Sequence, residues 1–92
     1  MLIDQSEAIS MDIKNDVRRA MYAAVSKELN VPIDKLHDDV GLVKDLGAKS
    51  ADFVRIIGDL EDEFDFTLPF MEFRRKAVLG ACVDFAVSVL ES

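Results

Sequence analysis

Four apolar residues, Phe53, Ile57, Leu60 and Phe64, recur at spacings of four, three and four. That rhythm is one face of an amphipathic helix. A glycine-containing turn, Asp45-Leu46-Gly47-Ala48-Lys49, runs straight into it, and Arg55, Asp59 and Asp62 fall on the opposite face. Ser50 stands just before the periodic run, in the position of an N-cap. A hydroxyl there lies at the positive end of a helix, where unpaired backbone N–H groups and the macrodipole suit phosphate. Ser50 is thus physically suited to carry a phosphoester, although position alone would also fit a residue that only caps the helix.

The rest of the chain is read against this helix. Ile13, Val17, Met21, Val25 and Leu29 recur every four residues, so a long first helix is expected from Asp12. Asp12 and Asp16 favour its start, Asn30 is a candidate C-cap, and Pro32 bars continuation. The face bearing Lys14, Arg18 and Lys27 is expected to be solvated. Residues 1–10 form an N-terminal extension, either a frayed tail or an early helical turn, in which Leu2, Ile3, Ala8 and Ile9 are apolar enough to pack. The domain proper is read as residues 11–92.

Residues 31–49 show no long period. A loop of this length needs pins, and Val31, Ile33, Leu36, Val40, Leu42 and Leu46 are the candidates. His37 is the one histidine, with no second histidine or nearby cysteine, so it reads as a surface or loop-packing residue and not a metal ligand. Phe66, Phe70, Met71 and Phe73 surround Pro69, which suits the first turn of a short third helix. The last segment, about Ala77 to Leu90, reads as a helix that is apolar on more than one face. The fold class is therefore all-α, a four-helix bundle with a long first loop and a short third helix.

Composition narrows the function. The 92 residues make one small domain with a net charge of −7, which argues against nucleic acid and suits partners with basic patches. Cys82, the one cysteine, has no internal partner for a disulfide, so a reducing, cytoplasmic setting is the simplest reading. It is expected to behave as a small buried hydrophobe. The N-terminus lacks the pattern of a signal peptide, and the run Ala77 to Leu90 is too short to span a membrane. No nucleophile–base set and no metal-ligand cluster is visible, so an enzyme is not expected.

Residues from about Val17 to Phe85 resemble the acyl carrier protein family. The typical run around the modified serine of that family reads DLGADSLDxVEL, followed by an acidic EEEF and a late I-P. Here Asp45-Leu46-Gly47-Ala48 matches as it stands, and Ser50 takes the place of the modified serine. Asp52 and Val54 lie at matching positions, Glu61-Asp62-Glu63-Phe64 matches the acidic end, and Leu68-Pro69 matches the I-P. The resemblance implies that a phosphopantetheinyl transferase, with coenzyme A and Mg²⁺, places 4′-phosphopantetheine covalently on Ser50. It also implies a structured loop across the bundle, pinned by the apolar residues of 31–49. The chain would then be a carrier and a monomer, serving acyl-transferring or acyl-modifying enzymes with basic docking patches.

Four departures from the family pattern stand out. Lys49 replaces the aspartate before the serine, Ala51 the leucine after it, Arg55 the glutamate of VEL, and Gly58 a bulky apolar residue one turn on. Such changes on a partner-facing surface suggest altered specificity, hence a specialised carrier for fatty-acid, lipid or polyketide-type biosynthesis. The partner-binding set is then Asp45, Lys49, Ala51, Asp52, Arg55, Gly58, Asp59 and Asp62. Phe53, Ile57, Leu60, Phe70, Met71 and Phe73 are the candidates for an acyl pocket or groove between the second and third helices. Two alternatives stay open: an aminoacyl or peptidyl carrier, and a carrier-like interaction module that is never modified.

Overall fold

The computed structural model describes the backbone of residues 2–92 and the side chains of residues 13–92. It holds four helices, with no strand among the described residues: α1 (Leu2–Leu29), α2 (Ser50–Phe64), α3 (Phe70–Arg74) and α4 (Leu79–Glu91). The all-helical architecture, the long first loop and the short third helix agree with the sequence. Helix α1 begins well ahead of Asp12, because LIDQSEAISM contains neither proline nor glycine to stop it. The expected packing of Leu2, Ile3, Ala8 and Ile9 falls on side chains outside the described residues.

Helix α1 packs along both α2 and α4, and α3 bridges α2 to α4. The core is built where their apolar stripes meet. Val17, Met21 and Val25 of α1 are fully buried, against Phe53, Ile56 and Leu60 of α2 and Leu79, Cys82, Val83 and Ala86 of α4. Burying side chains of this size stabilises by about 1.5–3 kcal/mol each before entropy is counted, and packing of this kind, more than helix propensity, holds the bundle together. Ile56 belongs to this core although the 4-3-4 spacing passes over it. The stripe is wider than one row, as a core-facing helix requires. Phe73 of α3 meets Phe53 edge-on, with centroids 6.0 Å apart and planes at 77°.

Helix ends follow local chemistry. Asn30 takes a left-handed conformation with φ of 57° directly after α1, and the Val31 N–H reaches back to the Ser26 carbonyl. Asp65 does the same after α2, with φ of 55°, while its N–H donates to the Glu61 carbonyl. The Glu61 carboxylate then accepts the Leu68 N–H at 2.7 Å, which folds the chain back toward α3.

The long loop is pinned as expected at Leu36, Val40 and Leu42, with Val31 and Leu46 partly buried. Ile33 is a correction. It lies in a short 3-10 turn, Ile33–Lys35, and is 50% exposed. Lys14 and Lys27 are exposed, as expected of a solvated face, and Arg18 is half-buried, but the face is not without partners. Each reaches a carboxylate on another element: Asp84 of α4, Asp38 of the loop and Asp59 of α2 respectively. Arg18 Nε and Nη2 lie 3.3 and 3.1 Å from the two oxygens of Asp38, and the Tyr22 hydroxyl donates to the same carboxylate. This cluster clamps the loop onto α1.

Candidate functional site

The site is assembled at the start of α2. Asp45 closes the preceding turn, its carboxylate accepting the Gly41 N–H at 2.7 Å while its own N–H donates to the Gly41 carbonyl at 2.9 Å. Gly47 has φ of 68°, a left-handed value that glycine adopts without strain. The Ala48 N–H returns to the Leu42 carbonyl at 2.9 Å, and Ala48 is buried. The turn thus delivers the chain to the helix from a fixed anchor.

Ser50 is the first residue of α2 and not its N-cap, which corrects the reading from sequence. The cap is Lys49, which is extended at φ −110° and ψ 170°, and whose carbonyl accepts the first helical bond from Phe53 N–H at 3.1 Å. An ammonium has no acceptor to offer, so the first helical N–H groups receive no side-chain cap. Asp52 supplies the return half of a capping arrangement, accepting the Lys49 N–H at 2.9 Å. The Ser50 side chain is therefore released from capping. It is exposed and makes no hydrogen bond among the described residues.

Around Ser50 the face is small and mixed. Lys49 and Ala51 are exposed, Val54 is 58% exposed, and an added Cβ on Gly58 would meet nothing within 4 Å. Gly58 thus lies open on the outer side of α2, and no neighbour approaches it closely. Arg55 is already engaged within the chain. Its guanidinium lies 3.2 Å from Glu28 Oε1 and 2.5 Å from Asp52 Oδ1. Lys27 pairs with Asp59 at 3.3 Å and Glu28 at 3.5 Å, so a ladder of charges crosses from the end of α1 to α2. Asp62 is exposed in the last turn of α2.

The apolar candidates divide. Phe53, Ile57, Leu60 and Phe73 are buried in the core, Phe70 is partly buried, and Met71 is 58% exposed. A surface cleft lies elsewhere, between α1 and the C-terminal half of α2. Cys82 is fully buried in α4, and burial pushes its thiol up to about 12, so it is no nucleophile. His37 is exposed, and no group of three metal-ligating side chains occurs among the described residues.

Residues 19–85 match the family described as the phosphopantetheine attachment site. That span contains the Asp45 turn, Ser50, all of α2 and α3, and most of α4. The chain belongs to the phosphopantetheine-attachment carrier family. It is also 35% identical over 65 residues to a protein named acyl carrier protein from Sulfurovum sp. (strain NBC37-1), covering 71% of this chain and 87% of that one.

As a carrier domain it is not a catalyst; it holds 4′-phosphopantetheine covalently and works with a phosphopantetheinyl transferase and acyl-handling enzymes. The residues present fit such a group. An unpaired, exposed hydroxyl stands on the first turn of a helix whose N–H groups and dipole suit a phosphodiester. Among the described residues, no helix is long and apolar enough to cross a membrane.

Proposed function

We propose that Ser50 is the attachment residue for 4′-phosphopantetheine and that the chain is a specialised acyl carrier for fatty-acid, lipid or polyketide-type biosynthesis. The observation that carries this reading is the Ser50 hydroxyl itself, exposed on the first turn of α2 and without a partner among the described residues, because Lys49 has taken over the cap position. The terminal thiol of the bound arm supplies a thioester bond for the acyl cargo.

This chain's own residues do the positioning. The Asp45 turn, with Gly47 in its left-handed conformation, fixes where α2 begins. Phe53 and Ile56 anchor the first turns in the core, so the attachment point is held rigidly while the arm remains free. Tethering then raises the effective concentration of cargo at each enzyme. Lys49, Ala51, Asp52, Arg55, Gly58, Asp59 and Asp62 form the surface that such enzymes read. Met71 and Phe70, at the edge of α3, are the apolar residues best exposed to meet a cargo or partner there. The carrier domain is residues 11–92, residues 1–10 are an extension of it, and the setting is cytoplasmic.

The test is intact-protein mass spectrometry after incubation with coenzyme A, Mg²⁺ and a broad-specificity transferase. The wild type gains one arm and Ser50→Ala gains none. An arm on the variant, or at another residue, overturns the assignment. A thiol reagent gives a second readout. Cys82 is buried with its thiol pushed up to about 12, so a fast-reacting thiol in the native protein belongs to the arm.

A further inference from the structure

The charges at the start of α2 divide into a closed set and one remainder. Asp52 accepts the Lys49 N–H at 2.9 Å and is held by Arg55, which also reaches Glu28. Lys27 sits between Glu28 and Asp59. The Lys49 side chain is exposed, and its ammonium has no carboxylate within ion-pair distance among the described residues. Asp52 is the acid of the first turn, and it is already taken.

That position is unfavourable in the bare chain. The helix dipole disfavours a cation at the N-terminus, and a lysine side chain has no acceptor with which to cap. A local rule broken at a site points to a compensation there. The compensation at hand is an anion. Within residues 19–85 there are two serines, Ser26 and Ser50. The Ser26 hydroxyl is engaged, donating to the Val31 carbonyl at 2.6 Å. The Ser50 hydroxyl makes no hydrogen bond among the described residues. A phosphodiester formed on it arrives one residue from Lys49, with the two α-carbons about 3.8 Å apart.

The geometry points to Lys49 as the residue that holds the phosphodiester of the arm, as an ion pair across the open end of α2. The inference rests on the carrier reading of Ser50. Lys49 is the cap residue, and a cap side chain sets out over the first-turn N–H groups, where a phosphate on the first helical residue is best received. The bond to Ser50 brings the anion there, so the helix end does not have to select it from solution. Loading then turns a repulsion between ammonium and positive pole into an attraction of both for one phosphate. Such a contact is charge-assisted and stronger than a neutral hydrogen bond. The arm is held at its root and stays free beyond the phosphate.

The experiment compares wild type, Lys49→Arg and Lys49→Met, each before and after loading with coenzyme A, Mg²⁺ and a broad-specificity transferase. Intact mass reports the loading. Loading raises the melting temperature of wild type by about 4 °C. The gain survives in Lys49→Arg and is lost in Lys49→Met. The ³¹P resonance of the arm gives a readout that a purely structural lysine would not move. It differs between loaded wild type and loaded Lys49→Met at low ionic strength, and the difference closes at about 1 M NaCl. Unloaded Lys49→Met melts no lower than wild type, because it has lost a repulsion. An equal gain in wild type and Lys49→Met, coincident ³¹P resonances at low salt, or a less stable unloaded Lys49→Met would each overturn the proposal. Failure of wild type to take up an arm overturns the carrier reading and this one with it; an arm taken up without these differences overturns this one alone.

Discussion

The backbone N–H of Gly80 donates to the Asp38 carbonyl at 2.9 Å, and a Cβ on Gly80 would stand 3.0 Å from the Asp38 Cβ. The long loop therefore rides directly on the first turn of α4, with no room for a side chain between them. Next to this contact, the Leu79 N–H donates to the Val40 carbonyl at 2.8 Å. Asp38 has no freedom to retreat, because Arg18 and Tyr22 of α1 hold its carboxylate from the other side.

Gly80→Ala tests that closeness. In an open helix the change would stabilise by about 1 kcal/mol. Here overpacking against a pinned neighbour outweighs the helix gain, with a net loss of about 1 kcal/mol. For a domain of this size the melting temperature then falls by roughly 4–8 °C. Gly58→Ala is the control, since a Cβ there meets nothing within 4 Å, and its melting temperature rises. A fall in both variants, or in neither, would contradict the contact.

The same cluster gives the protein a pH signature. Hydrogen bonds from Arg18 and then Tyr22 hold the Asp38 carboxyl below its ordinary value. A depressed folded pKa stabilises above the unfolded pKa, and that contribution is lost as pH falls through the folded one. The advantage of wild type over Asp38→Asn is therefore full at neutral pH and disappears in acid. Tyr22 moves the other way, raised to about 12 by burial first and by the Asp38 carboxylate second. Its contribution is present below the ordinary tyrosine value near 10 and is lost as pH climbs toward 12. Tyr22 is the one tyrosine, so phenolate absorbance reports it directly. Asp38→Asn lowers the midpoint. An unchanged midpoint would mean that Asp38 does not touch the phenol.

How far the sequence reached is clearest at this cluster. The stripes of α1 and α2 were legible because each repeats a local rhythm that any core-facing helix must have. Asn30 was legible because a left-handed cap has few candidate residues. Arg18, Tyr22 and Asp38 were not, since the partners lie 16 to 20 residues apart and meet only once the loop is folded. Gly80 carries no local sign either; its need is set by a neighbour 42 positions away in the chain. At the site, the serine and its turn were visible, but its capping role was assigned one residue too far along. Propensity alone favours serine over lysine as a cap. The Asp45 turn fixes the register instead and leaves Lys49 to fill the position.

Lys49 places a cation at the positive end of α2, where the dipole disfavours it and no side chain caps the helix. Lys49→Asp removes the repulsion and supplies a capping carboxylate, stabilising by about 1 kcal/mol. The same change makes the surface beside Ser50 more like the family pattern. A transferase from general fatty-acid synthesis is expected to modify Lys49→Asp faster than wild type, because a basic surface there meets attraction in place of repulsion. Equal rates, measured by mass spectrometry at early times, would remove the electrostatic account of specificity while leaving the stability gain intact.

Arg55 is the other reversed charge on α2, and its place is explained by α1. Glu28 is only 13% exposed at its side chain, and Arg55 Nε lies 3.2 Å from it. Arg55→Glu restores the residue of the family pattern yet sets it against Glu28 and Asp52. Two acids would then crowd a mostly buried third, and the loss is about 1–2 kcal/mol, above that of an ordinary surface pair. Glu28→Arg in the Arg55→Glu background exchanges the charges and recovers most of that loss. A double-mutant cycle by urea denaturation measures the coupling, expected at about 1 kcal/mol. Coupling near zero would return Arg55 to the solvent and leave its charge to serve partners alone. Strong coupling means that the end of α1 and the first turns of α2 vary together, so that Arg55 holds the Ser50 helix in place even where no partner is bound.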